Sequence, residues 1–398
     1  MSVRKLWVSV VLVAVVVLAA CGPKVEPYEC TDEWGCATFE PGQKIKLAFV
    51  GPYTGDYANF GIDMSRGAEL AIKDHPTVKG FEIELLIEDT QGSPEQGAAV
   101  ANKLAADQQV VAVDGHSFSG STEVAIPIYD EAGIVMMSAS ATNPTLTELG
   151  SQVFNRVAFT DRMQGQHAAE YIYETLGIRK IAVMHDGGTY GQGLAEMTGE
   201  FFTDLGGEVV AEEAITPGET DYSAPLAAVA ANGPELIYYG GYDADAAVLV
   251  TQMPQAGLEG VKFFGCDGTH GLTYLELAGE AAEGTFATYV PIPESGAFDK
   301  FREDYFNAYN EEQGILSTFS PHSYDATAIL INAIEAVAVE HGDNLIIPRK
   351  ALADQVRSTS GYQGLTGSIT CSDVGECAAA SIIFVIAEDG KWVTGPGQ

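Results

Sequence analysis

The chain has 398 residues, with 55 Asp and Glu against 20 Lys and Arg, a formal charge of −35, and 46% hydrophobic residues. Such an acidic excess repels phosphate backbones and anionic headgroups, which excludes nucleic acid and a polybasic membrane contact as partners. The apolar content suffices for two lobes of about 150 residues each, and no low-complexity tract points to a fibre or a disordered chain.

Arg4 and Lys5 precede an apolar stretch from Leu6 to Leu18, which closes in Leu18-Ala19-Ala20-Cys21. A basic start, an apolar run and small residues before a cut read as an export signal over residues 1–20. The run falls short of the roughly 20 residues a spanning helix needs. A cysteine at the cut resembles the lipobox of bacterial lipoproteins, so Cys21 is expected to carry the lipid as the new N-terminus. Cleavage removes Arg4 and Lys5 and leaves 378 residues at −37. The protein would then sit in the cell envelope, on the outer face of the cytoplasmic membrane or the periplasmic side, touching the membrane only through its lipid. Residues 21–43 are polar and contain proline, and read as a spacer.

Among the other cysteines, Cys30 and Cys36 enclose one turn-like interval, and Cys371 and Cys377 enclose another. Four cysteines allow three pairings, and a four-thiolate zinc site competes with disulfides. The five-residue intervals are wider than usual zinc spacing and an exported location is oxidising, which favours two local disulfides. Cys266 reads as a buried thiol.

From Lys44 onward, short apolar runs alternate with helical patterns. Residues 45–51, 81–88, 110–113, 135–138, 180–185, 208–214, 235–239 and 261–265 read as strands. Residues 61–74, 94–106, 122–132, 164–176, 191–205, 224–232 and 244–256 read as helices between them. Ser93 before Pro94 is a strong start signal, an N-cap followed by proline at the first helical position. Nearly continuous apolar strands, each followed by a helix, imply an α/β protein with parallel sheets covered on both faces. Two such series give two lobes, with a break near residues 157–159. Two long helical patterns follow at 297–310 and 323–340, and the chain is expected to finish in strands around the Cys371 to Cys377 turn.

Enzyme motifs fail one by one. Gly191-Gln192-Gly193-Leu194-Ala195-Glu196 follows a strand and opens a helix, but its last residue is Glu where a dinucleotide fingerprint needs Gly or Ala. Gly115-His116-Ser117-Phe118-Ser119 misses the nucleophile elbow because it ends in Ser. The seven histidines are scattered, and His185-Asp186 reads as a polar pair at a strand end. No catalytic residue, metal ligand or cofactor is expected, although a hydrolase using a serine among residues 117–121 remains the reading from a different class.

Polar and aromatic residues do gather at the carboxyl ends of strands, where open parallel sheets place their ligands. Residues 115–122 combine hydroxyls with free amides at a helix start, a setting that favours a carboxylate. Ser138-Ala139-Ser140-Ala141-Thr142-Asn143-Pro144 forms a second hydroxyl cluster, Gly240-Gly241-Tyr242 brings an aromatic ring, and Gly265-Cys266-Asp267-Gly268 offers one carboxylate. Donors on one side and a negative charge on the other suit a zwitterion.

Together with Ala48-Phe49-Val50-Gly51-Pro52, residues 126–134, Tyr190-Gly191-Gln192-Gly193 and Tyr238-Tyr239-Gly240-Gly241-Tyr242, these segments resemble the leucine/isoleucine/valine-binding proteins. Those are the substrate-binding components of branched-chain amino acid ABC transporters, and the resemblance runs from about Ile45 to Val393. It implies a two-lobed type I periplasmic-binding fold, each lobe a parallel sheet flanked by helices, joined by a three-segment hinge. Lobe 1 would comprise 44–157 plus 291–366, and lobe 2 would comprise 158–290 plus 367–398, the last including a hairpin stapled by Cys371 and Cys377.

Carried over by position, Ser119 and Thr142 would hold the ligand carboxylate, the Ser140 carbonyl would receive the ammonium, and Asp267 would pair with that ammonium. Asp267 stands where relatives have Glu. Phe60, Tyr190, Tyr242 and Phe319 fall at aromatic positions around the ligand side chain. Ser117 and Phe118 replace the Leu and Cys of relatives and reshape the pocket, and the disulfide that Cys makes is absent. The implied function is capture of a free amino acid, branched-chain or otherwise aliphatic, and delivery to a membrane permease. A same-fold receptor for an amide, urea or other small polar solute, or a sensory protein, is the alternative.

Overall fold

The computed structural model describes residues 27–310, 318–378 and 381–398. The export signal and Cys21 lie outside the described residues. The first sheet consists of β2 (Ile45–Gly51), β3 (Thr77–Val78), β4 (Phe81–Asp89), β5 (Val110–Gly115), β6 (Val135–Ser138) and β7 (Phe154–Arg156), after a short β1 (Cys36–Phe39) in a separate sheet. Their spatial order is β3-β4-β2-β5-β6-β7. All neighbours are parallel except the edge pair of β3 and β4. Every residue of β5 is buried, as expected of a strand with helices on both faces.

The second sheet begins with β8 (Lys180–His185), β9 (Glu208–Ala214), β10 (Leu236–Gly240), β11 (Lys262–Gly265) and β12 (Phe286–Tyr289). After β13 (Val339–His341), β14 (Asn344–Pro348) and a hairpin of β15 (Tyr362–Gly364) and β16 (Gly367–Ile369), it ends in β17 (Ile383–Glu388) and β18 (Lys391–Thr394). Its order is β18-β17-β12-β11-β10-β8-β9, with β17 and β18 added antiparallel to an otherwise parallel core.

Local signals explain the helix starts. Ser93 accepts from the Gln96 amide at the head of the helix Pro94–Ala105, and Thr160 accepts from the Met163 amide at the head of Asp161–Glu170. Helices Ala58–Asp74 and Ser320–Val337 cross closely at Gly67, where a Cβ would stand 2.1 Å from the Ser320 carbonyl oxygen. Both cysteine pairs are bonded as disulfides, Cys30 to Cys36 and Cys371 to Cys377, so these sulfurs are not thiolates for a metal. Cys266 is a free, buried thiol.

Three expectations need correction. The stretch read as a spacer is partly built into the first lobe: β1 pairs antiparallel with β14, and Ala37 and Phe39 point into the core. Its Asp32 carboxylate accepts from the Lys350 and Ala351 amides, both at 3.0 Å, at the start of the helix Arg349–Arg357. The alternation in Cys-Ala-Thr-Phe was a strand signal, masked by the polar residues around it. That same helix, Arg349–Arg357, replaces part of the all-strand ending, with Leu352, Ala353 and Val356 forming its buried face.

The third correction concerns the Cys371 to Cys377 turn, which packs on the first sheet and not on the second. Arg156 of β7 donates its amide to the Gly375 carbonyl at 2.9 Å and accepts from the Cys377 amide at 3.0 Å. Cys377 is buried in the core containing Val111 and Ala112. Residues 367–378 therefore stay with the first lobe, and the chain has rejoined the second sheet by β17. The physical reason is the fully buried Arg156 guanidinium, which takes its carboxylate partner, Glu376, from this turn.

Candidate ligand-binding site

The carboxyl ends of the two sheets face each other across a cleft. From the first wall, β5 leads through Ser117 and Phe118 into the helix Ser119–Ala132, and β6 leads to Ser140. From the second, Tyr190 lies at the start of the helix Thr189–Asp204, Tyr242 follows β10, and Asp267 follows β11. The enclosed cavity is lined by Phe60, Met64, Phe118, Ser119, Ser140, Tyr190, Tyr242, Asp267, Gly268 and Phe319. Eight of the ten residues singled out from sequence thus share one cavity.

Asp267 is buried, and its Oδ1 accepts from the Tyr190 hydroxyl and from Gln164 Nε2, both at 2.5 Å. Burial pushes its carboxyl up to about 6, with the Tyr190 hydrogen bond pulling in the opposite direction. The Tyr190 phenol is in turn held well above its ordinary value, by burial first and by the charge of Asp267 second. Gly268 allows this packing, since a Cβ there would stand 2.5 Å from the Gly241 carbonyl oxygen and 3.3 Å from the Tyr190 ring.

Aromatic rings fill the middle. Phe118 stacks on Tyr242 at 4.3 Å and 13°, and Phe60 meets both rings edge-on at 5.9 and 5.8 Å. Tyr57 and Tyr190 flank Tyr242, and Phe319 stacks with Phe159. The walls are also tied at the rim. Asn59 Nδ2 donates to Asp243 at 2.9 Å, Asn143 Nδ2 to the Thr189 carbonyl at 2.5 Å, and Thr189 Oγ1 to Glu123 at 3.0 Å. The remaining space is only about 20 Å³, so any ligand larger than a water molecule must enter by separating the two walls.

Ser117 is a correction: its amide and hydroxyl both donate to the Val50 carbonyl, at 3.0 and 3.1 Å, and its own carbonyl accepts from Ser140. Its polar groups are consumed in holding the loop, and it does not line the cavity. Thr142 lies behind the wall, fully buried, with its side chain against the Asp161 carboxylate. Met64, Gly268 and Gln164 were not anticipated. Met64 was legible in principle, one turn after Phe60 on the same helix face, whereas Gln164 reaches Asp267 from 103 positions away and carries no local signal.

The loop serines do not form a nucleophile with a base. Ser119 Oγ accepts from the Asn143 amide at 3.2 Å, Ser121 donates to the Phe118 carbonyl, and His116 contacts Tyr129 through Nε2. Burial depresses His116 to about 3, which leaves it a poor proton acceptor.

Residues 44–391 match the family model described as periplasmic binding protein. The chain belongs to the periplasmic binding protein family. A leucine-, isoleucine-, valine-, threonine- and alanine-binding protein of Pseudomonas aeruginosa is 35% identical over 295 residues, covering 73% of this chain and 78% of the relative. Among solved structures, a leucine-binding protein from Thermotoga maritima superposes with a TM-score of 0.79 at 29% identity, over 88% of this chain and 97% of that one. A branched-chain amino acid transporter substrate-binding protein from Streptococcus pneumoniae, solved with isoleucine, gives 0.77 at 26%, over 88% and 98%. All three relatives are named as binding proteins, the last as the substrate-binding protein of a transporter, and this periplasmic binding protein shares their type I fold, two parallel-rich sheets flanked by helices.

Proposed function

We propose that this periplasmic binding protein captures a free amino acid with an aliphatic side chain and delivers it to the permease of an ABC transporter. The observation that carries the reading is one buried carboxylate, Asp267, facing a hydroxyl-lined helix start at Ser119 across a cavity walled by aromatic rings. The amides at the head of the 14-residue helix Ser119–Ala132 suit a ligand carboxylate, Asp267 suits the ammonium, and Phe60, Phe118, Tyr242 and Phe319 suit an apolar side chain. The binding specificities in the names of the relatives agree with this division. Closure then buries the ligand between lobes divided near Val157, near Val290 and after Ala378.

The protein acts outside the cytoplasm, held by a lipid on Cys21. The sequence at residues 4–21 supports that anchor, and among the described residues no helix is long and apolar enough to cross a membrane.

Thermal melting in the presence of each of the twenty amino acids tests the reading, because a ligand that binds only the folded state raises the melting temperature. Leucine, isoleucine or valine should give the largest rise. A rise with urea or acetamide, and none with any amino acid, would replace this reading with that of an amide receptor.

The affinity should also depend on pH in a defined direction. An ammonium ion favours ionised Asp267, whose carboxyl sits near 6 in the empty cleft. As pH falls through that value, binding should weaken, approaching about tenfold per pH unit in the acid limit. Calorimetric titrations between pH 5 and 7 would reveal it, and an affinity flat across that range would remove Asp267 from the ammonium site.

A further inference from the structure

Among the described residues, the two side chains that donate to Asp267 take the same oxygen. Gln164 Nε2 and the Tyr190 hydroxyl both reach Oδ1 at 2.5 Å. They come from different helices, Gln164 from Asp161–Glu170 and Tyr190 from the head of Thr189–Asp204. Those helices pack so closely that a Cβ on Gly165 would stand 3.0 Å from Thr198 Oγ1, which fixes the two donors relative to each other. Tyr190 lines the cavity, whereas Gln164 is fully buried behind it.

The two donors are not equivalent. A phenol O–H both donates and accepts, so Tyr190 can turn to suit either charge state of Asp267, but the amide nitrogen of Gln164 only donates. A proton placed on Oδ1 would point at the Gln164 N–H bonds. Any proton that Asp267 takes up is thereby directed to Oδ2, the oxygen that neither donor engages. A hydrogen bond donated to the charged form of an acid also favours that form.

Resting on the amino acid reading above, we propose that Gln164 is a positioning residue, which holds Asp267 by Oδ1 and reserves Oδ2 for the ligand ammonium without touching the ligand itself. Proton and ammonium then compete for one atom, and the response of the cleft to pH is set from outside the cavity. The titratable groups around Asp267 are Tyr190, Tyr238, Tyr242, Cys266 and Asp161. Burial is the first cause that holds the phenols and the thiol above their ordinary values, so they stay neutral from pH 5 to 8.5. Asp161, raised by burial and by Asp267, is common to the parent and to any variant at Gln164.

Gln164→Met keeps the volume and removes the donor. Leucine is titrated calorimetrically into the full-length parent and variant between pH 5 and 8.5. The pH below which binding falls away, near 6 in the parent, should move up by about one unit in the variant. Gln164→Met should therefore bind leucine on the order of 10-fold more weakly than the parent at pH 5, and within about twofold of it at pH 8.5. A loss of equal size at every pH, or no loss, overturns the proposal. So does a midpoint that moves down, which would mean that the amide presents its oxygen to a neutral Asp267.

Should Gln164→Met fail to fold, the parent decides without any ligand. In heteronuclear NMR its Gln164 side-chain amide signal should move as pH crosses about 6, and should stay in place in Asp267→Asn. A signal that ignores pH in the parent overturns the proposal. A parent that binds no amino acid in the titrations removes the underlying functional reading instead, while the NMR titration still reports on Gln164, so the two failures are distinguishable.

Discussion

Asp267→Ala is expected to reduce amino acid affinity by about 3 kcal/mol or more, beyond 100-fold, because it removes the anionic partner of a buried ammonium. The loss should fall on binding and not on folding. In the empty cleft Asp267 is a buried acid raised to about 6, and burial is the leading cause of that shift, so its charge is no asset to the folded state. The alanine variant does leave the Tyr190 hydroxyl and Gln164 Nε2 without their acceptor. Asp267→Asn is therefore the companion, keeping an acceptor oxygen for those donors while deleting the charge. Both variants should melt near the parent without ligand and lose most of the melting rise with leucine. An unchanged rise in Asp267→Asn would show that the ammonium lies elsewhere.

The largest loss of stability is expected for Glu376→Ala. Arg156 is fully buried, with Nε donating to Glu376 at 2.9 Å and a second, shorter bond from the same guanidinium to the other carboxylate oxygen. Its Nη1 holds the Ala141 and Asn143 carbonyls at 3.0 and 2.7 Å. Removing the carboxylate strands a cation inside the protein, an event that costs about 3–5 kcal/mol for a fully buried pair. Glu376 keeps 30% of its side chain exposed, so the lower end, about 2–3 kcal/mol, is the better expectation.

Denaturant unfolding would measure the change, and a shift below about 0.5 kcal/mol would demote the pair to a surface contact. Arg156 also braces the segment carrying Thr142, so weaker leucine binding should accompany the loss. Replacing both members by apolar residues, Arg156→Met with Glu376→Leu, should recover part of the stability but not the bracing of that segment.

The parallel strands and most helices were readable because they depend on local chemistry. A run such as Val110 to Val113 can only be buried on both faces, and Ser93 before Pro94 can hardly do anything but start a helix. The positions of Ser119, Ser140, Tyr242 and Asp267 followed from the same logic, since each lies just beyond a strand's carboxyl end. β1 was lost because four alternating residues inside a polar stretch carry too little signal, and its partner β14 is some 300 positions away. Ser117 was misassigned because a hydroxyl near a ligand site looks the same in sequence whether it faces the cavity or, as here, the Val50 carbonyl.

Periodicity and capping residues depend on neighbours within a few positions, and from them alone the chain declares an α/β protein with two series of parallel strands. Which acid meets which donor is another matter. Asp267 finds Gln164 across 103 positions, and Glu376 finds Arg156 across 220. A buried charge must be matched wherever the packed lobes bring a partner, and that matching is set by the burial of the whole chain, which no local pattern encodes.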